Sequence, residues 1–148
     1  MSLCLREARF EDADALISVR HQAIMALAPE YGVAAASQWA GSASPNYAIE
    51  TIGVYTVFVA ESESGVVGWV AFRDNTIEHI YARPDTSRVG TCLMERAEAL
   101  IAAAGFEVAV LDASPNAVSF YEQRGYEVIA GPKADTSLPM AKPILCAA

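Results

Sequence analysis

Thr76-Ile77-Glu78-His79-Ile80-Tyr81-Ala82-Arg83-Pro84-Asp85-Thr86-Ser87-Arg88-Val89-Gly90-Thr91-Cys92 is the stretch on which the fold turns. Its first seven residues read as a strand, which Pro84 stops. From Gly90 to Ala104 the pattern changes to a helical period, with Leu93, Ala97, Leu100, Ile101 and Ala104 on one face and Gly105 as the cap. Between strand and helix lies a loop of small and cationic residues. A helix N-terminus carries unpaired backbone N–H groups and a partial positive charge, which together suit a diphosphate. Gly90 lets backbone approach closely, and Arg83 and Arg88 supply cations.

On the N-terminal side, Val54–Ala60 and Val66–Phe72 are apolar runs rich in β-branched and aromatic residues, joined by a hairpin turn over Ser62–Gly65. Asp74-Asn75 turns into Thr76–Ala82, giving an antiparallel meander. Leu3, Leu5 and Ala8 form a half-buried strand, and Asp12 opens a helix with Leu16, Ile17, Ile24 and Leu27, closed by Pro29 and Gly32. A short helix over Val33–Ala40 and another after Pro45 complete this half. On the C-terminal side come a strand Phe106–Leu111, a helix Asn116–Arg124 ended by Gly125, and a strand Tyr126–Ile129. Ser137–Leu145 reads as a last strand, which Pro139 and Pro143 assign to an edge. Strands first adjacent and then separated by helices indicate a mixed α/β sheet, and 148 residues without linker or repeat indicate a single domain over 1–148.

Composition narrows the function. Eighteen acidic residues against ten basic ones give a net charge of −8, which repels phosphate backbones and anionic lipid and argues against nucleic-acid or membrane partners. Such a protein needs a local basic patch to hold an anionic cofactor, and Arg83 and Arg88 provide one. Cys4, Cys92 and Cys146 are scattered, without metal-ligand spacing, so no metal site is expected and the thiols fit a reducing compartment. Arg6, Glu7 and Arg9 interrupt any apolar leader, and the uncharged segment 31–49 is too rich in polar and Gly/Pro residues to span a bilayer. A cytoplasmic location follows as the expectation.

A second motif, Asp112-Ala113-Ser114-Pro115-Asn116-Ala117-Val118-Ser119-Phe120-Tyr121-Glu122-Gln123-Arg124-Gly125-Tyr126, places an aromatic pair on a short helix before Gly and a further tyrosine. Taken with the first motif, the chain resembles the GCN5-related N-acetyltransferase (GNAT) superfamily over almost its whole length. Leu5-Arg6-Glu7-Ala8 with Asp12 and Leu16 is similar to that family's opening strand and helix. Ile80–Leu100 is similar to its cofactor-binding segment, and Leu138–Ile144 to its closing strand. The resemblance implies an acyl-CoA N-acyltransferase fold: a mixed, mostly antiparallel sheet splayed between Thr76–Ala82 and Phe106–Leu111, with acetyl-CoA as cosubstrate in the gap. The loop departs from the family pattern of Arg or Gln, two residues, Gly, one residue, then Gly or Ala. With Gly90 as the last glycine, Arg88 replaces the first and Asp85 takes the basic position; with Gly90 as the first, Ser87 and Cys92 flank it.

By the same resemblance, Tyr121 is the general acid for the departing thiolate, a role open to a phenol of pKa ~10 facing a thiol of ~8.5. Core packing beside Phe120 is the competing role. Glu78 is the candidate base for the incoming amine; His79, next to it, should face the opposite way. Ile80, Tyr81 and Ala82 would pair through backbone groups with the pantetheine arm, and Arg88, Val89, Gly90, Thr91 and Cys92 would surround the diphosphate. Ser114 and Asn116 compete for one polar contact to the cofactor. Tyr31, Gln38, Trp39 and Tyr47 fall where such a fold builds its acceptor pocket, or else pack in the core. The acceptor would be a primary amine of a small molecule or peptide, and a homodimer stays open. The alternative function is a non-catalytic module of the same fold that binds CoA weakly, or another ligand or partner.

Overall fold

The computed structural model describes residues 3–144. Leu145 and Cys146 lie outside the described residues. In chain order the elements are β1 (Cys4–Glu7), α1 (Ala13–Met25), α2 (Ala28–Tyr31), α3 (Val33–Ala40), α4 (Pro45–Val54), β2 (Thr56–Ser62), β3 (Gly65–Arg73), β4 (Thr76–Ala82), α5 (Val89–Ala103), β5 (Val108–Ala113), α6 (Val118–Glu122), β6 (Glu127–Val128) and β7 (Leu138–Pro143), with 3-10 turns at Phe10–Asp12 and Pro115–Ala117. The strands form a mixed α/β sheet in the order β1-β2-β3-β4-β5-β7-β6. No helix among the described residues is long and apolar enough to cross a membrane.

Two compact units divide the chain: Met1–Ala71 with His79–Met94, and Phe72–Glu78 with Glu95–Ala148. In the first, β1 pairs antiparallel with β2 and α1 packs on α3 and α4. Leu16 and Val19 of α1, Ala48 of α4, Val57 and Val59 of β2 and Trp69 of β3 share one core. Trp69 is fully buried, and its indole N–H donates to the Leu16 carbonyl at 3.0 Å, so a large apolar ring is buried without orphaning its donor. Val67–Phe72 are all buried, which explains why β3 reads as a continuous apolar run instead of an alternating one. Arg6 clamps the unit's edge by donating to Asp12 at 2.9 and 3.0 Å and to Glu61 at 3.2 and 3.3 Å.

In the second unit, β4 and β5 run parallel over just two residue pairs, Thr76↔Val110 and Ile77↔Leu111. Asn75 secures that end: its carbonyl accepts from the Val110 N–H at 2.9 Å and its side chain donates to the Val108 carbonyl at 3.0 Å. β5 then pairs antiparallel with β7 along its whole length, and β7 with β6.

Several boundaries differ from the sequence reading. Pro29 does not end α1; it lies in the first turn of α2, where its missing N–H costs nothing, and Gly32 at φ 86° ends that turn. Val54 finishes α4, so β2 starts at Thr56. The helix over Asn116–Arg124 is a 3-10 turn followed by the five-residue α6. β7 is interior rather than an edge strand. The Pro139 carbonyl accepts from Ile129 beyond β6, while the Ile144 N–H donates to Glu107 before β5. By alternation Pro139 and Pro143 therefore turn their missing donors toward β6, which is only two residues long and asks for few.

Candidate active site

In the first unit, β3 and β4 lead into the N-terminal turn of α5. Gly68 permits the approach: a Cβ there would stand 2.5 Å from Val89 Cγ1, 3.0 Å from Leu93 Cδ1 and 3.1 Å from the Tyr81 carbonyl oxygen. Val89 is buried, which anchors the turn, while Gly90, Thr91 and Cys92 are partly exposed along the helix start. A cavity of about 440 Å³ opens beside them, walled by Val67, Arg83, Ser87, Arg88, Val89 and Cys92 among others. Arg83 shares its charge with Asp85 at 3.3 Å, whereas the exposed Arg88 guanidinium has no ion-pair partner among the described residues. Arg88 has φ 65°, in the left-handed region that favours glycine. The start of a fifteen-residue helix, a cation outside any ion pair among the described residues and a cavity together fit an anionic diphosphate.

β4 presents two faces. His79 and Tyr81 point into an aromatic nest: His79 lies 5.8 Å from Tyr47, 6.2 Å from Tyr55, 5.9 Å from Trp69 and 6.3 Å from Tyr81, ring centroid to centroid. The Tyr47 hydroxyl is 3.2 Å from His79 Nε2. Burial first, and the Arg20 cation second, hold the His79 pKa below its ordinary value, so the ring is neutral at pH 7. Ile80 and Ala82 are half-buried. Glu78 belongs to the second unit and is exposed; its charge, with those of Asp112 and Asp135, supports the raised pKa of Lys133, whose main cause is the hydrogen bond to Asp112.

Also in the second unit, Tyr121 is 8% exposed and packs edge-on against Phe120 at 5.2 Å and Tyr126 at 5.9 Å. The packing role foreseen for it is real. Tyr126 is tied down by Glu98 at 2.7 Å, and Glu98 also takes Lys142 at 2.9 Å. Ser114 precedes the 3-10 turn in extended conformation without capping it, and Asn116 lies within that turn, both half-buried. Of the acceptor-pocket candidates, Tyr31 and Trp39 pack on each other at 6.3 Å, Gln38 is exposed, and Tyr47 joins the nest around His79. The sequence reading missed Arg20, 6% exposed on α1. Its signal was the i, i+4 spacing Leu16-Arg20-Ile24, which puts a cation on the buried face. No group of three or more His, Cys, Asp and Glu that could hold a metal occurs among the described residues.

Residues 27–141 match the family described as the acetyltransferase (GNAT) domain. Among solved structures, a GCN5-related N-acetyltransferase from Rhodopseudomonas palustris superposes with a TM-score of 0.88 at 24% identity, covering 97% of each chain. The PaiA N-acetyltransferase of Thermoplasma acidophilum, solved with coenzyme A, gives 0.81 at 20% identity over 97% of this chain and 99% of its own. A phosphinothricin acetyltransferase from Sinorhizobium meliloti, solved with AcCoA, gives 0.66 at 20% identity over 98% and 90%. No curated protein matches the chain by sequence.

Proposed function

We propose, from the premise that the chain belongs to the acetyltransferase (GNAT) domain family, that it transfers an acetyl group from acetyl-CoA to a primary amine of a small molecule or peptide. The observation that carries this is the N-terminus of α5: a cavity, an Arg88 outside any ion pair among the described residues and a left-handed backbone at Arg88. Backbone N–H groups of Arg88, Val89 and Gly90 would hold the diphosphate, with Thr91 and Cys92 beside it; the Cys92 N–H itself donates to the Arg88 carbonyl at 2.9 Å. Backbone groups of Ile80 and Ala82, flanking Tyr81, would pair with the pantetheine arm, and one such N–H would polarise the thioester carbonyl. Ser114 or Asn116 would add a polar contact. The reading takes 1–148 as one catalytic domain, and the unpaired thiols Cys4 and Cys92 suit a reducing, cytoplasmic setting.

In the reaction the amine nitrogen bonds to the acetyl carbon and the carbon–sulfur bond breaks. A β4 side chain takes the amine's proton, either Glu78, as the exposed carboxylate, or His79, as the neutral imidazole. Tyr121 gives its proton to the departing sulfur. Tyr121→Phe keeps the ring's packing and should retain acetyl-CoA binding, with stability lower by about 1 kcal/mol. Its turnover should fall ~10²–10⁴-fold, and a thioester with a better leaving group should restore part of it. Near-normal turnover when chemistry is rate-limiting would remove Tyr121 from the mechanism. The non-catalytic alternative draws its support from a loop that departs from the family's glycine pattern in either register. Calorimetric titration separates the two: acetyl-CoA should bind and raise the melting temperature, and no response at millimolar ligand would favour the alternative.

A further inference from the structure

We propose that the acetyl acceptor carries a carboxylate as well as its amine, and that Arg20, Tyr47 and Tyr81 form the subsite that reads it. This rests on the acetyltransferase reading and deepens it. Arg20 is buried on α1. Its Nη1 donates to the Ala40 carbonyl at 3.2 Å and the Trp39 carbonyl at 3.4 Å, its Nη2 to the Ser42 hydroxyl at 3.1 Å, and its Nε is buried with no partner. Ion pairs among the described residues engage Arg6, Arg83, Lys133 and Lys142, and none engages Arg20. A buried cation without an anion is costly. The carbonyls at the end of α3 offset part of that cost, but a neutral amide could bond them equally well without desolvating a charge. The charge itself is surplus to any capping role.

Its field has an outlet. The guanidinium carbon lies 5.3 Å from the Tyr47 ring centroid and 5.8 Å from that of Tyr81. Both phenols and His79 are mostly buried but keep part of their surface exposed, so the wall that covers the cation reaches solvent. Burial raises the pKa of both phenols while Arg20 opposes the rise, and they remain protonated donors at neutral pH. A carboxylate on that wall would meet hydroxyl donors and the field of a cation that has already been desolvated. The same field disfavours an ammonium nearby and so favours the free amine that attack requires. A peptide amino terminus, whose carboxylate lies elsewhere, lacks this feature.

The test uses matched acceptors, amino acids and their decarboxylated amines, spanning aliphatic, aromatic, polar and cationic side chains, with CoA release as the readout. The amino acids should be preferred at least ~10-fold in kcat/KM, mainly through KM. Arg20→Gln keeps donors for the α3 carbonyls but removes the charge; it should erase that preference and leave acetyl-CoA affinity unchanged. Should that variant fail to fold, Tyr47→Phe should narrow the preference several-fold. Equal or better use of the decarboxylated amines overturns the proposal, as does a preference that survives Arg20→Gln. So does turnover of neither class by enzyme that binds acetyl-CoA. Loss of acetyl-CoA binding to the unaltered protein instead removes the acetyltransferase reading beneath it.

Discussion

At Arg88 the backbone adopts φ 65°, a conformation that costs a residue with a Cβ roughly 1–2 kcal/mol. Glycine would relieve most of that cost, while losing more conformational freedom on folding. Arg88→Gly should therefore raise stability by about 1 kcal/mol at most, and acetyl-CoA affinity should fall as the unpaired guanidinium leaves the cavity. Opposite signs in thermal melting and calorimetric titration would separate the backbone of this residue from its charge; unchanged affinity would place the diphosphate away from it. Legibility at this scale was uneven. The alternation of Glu78 and His79 was readable because strand periodicity is local. Arg20 was not read, because an arginine on an amphipathic helix is ordinarily solvated, and its burial depends on α3, Tyr47 and Tyr81 closing over it.

The first turn of α5 is seated by contact with β3, and Gly68 makes that contact. In Gly68→Ala the new Cβ would meet Val89 Cγ1 at 2.5 Å and the Tyr81 carbonyl oxygen at 3.1 Å. Overpacking of this kind costs about 1–3 kcal/mol, and displacement of the turn should also weaken acetyl-CoA binding. Adding Val89→Ala removes the worst clash, so the double variant should recover part of both losses in denaturant unfolding and titration. Additive losses would mean that the helix and strand do not share this contact. At the other end of the unit, Asp12 is held below its usual pKa chiefly by the hydrogen bonds from Arg6, against the opposing effect of burial. A depressed carboxylate stabilises the fold above its unfolded pKa near 3.8, and that contribution disappears as pH falls through the lower folded value. Asp12→Asn should therefore be less stable than the parent at pH 7, with the gap closing below pH ~4. A gap independent of pH would assign the loss to packing.

Over the whole chain, the net charge of −8 opposes the approach of an anionic cosubstrate, while the few cations at the α5 turn favour its retention. Salt screens both effects. The association rate for acetyl-CoA should rise from low to physiological ionic strength while the bound lifetime shortens, and stopped-flow measurements would resolve the two trends. An association rate that falls with salt would mean that the local patch governs encounter as well. The architecture was legible at this scale because the continuous apolar run of β3, the strand residues of β4 and the helical period of α5 extend over whole elements. The position of β7 was not, because two prolines in a short strand read as an edge until its neighbour β6 is known to be only two residues long. That position also orders the making of the protein. β7 enters the sheet between two strands that precede it in the chain, so β5 and β6 are joined only once this last strand has docked. Until then β5 offers an open edge to other nascent chains. Loss to aggregation would then depend on how quickly β7 docks, separately from how stable the finished molecule is.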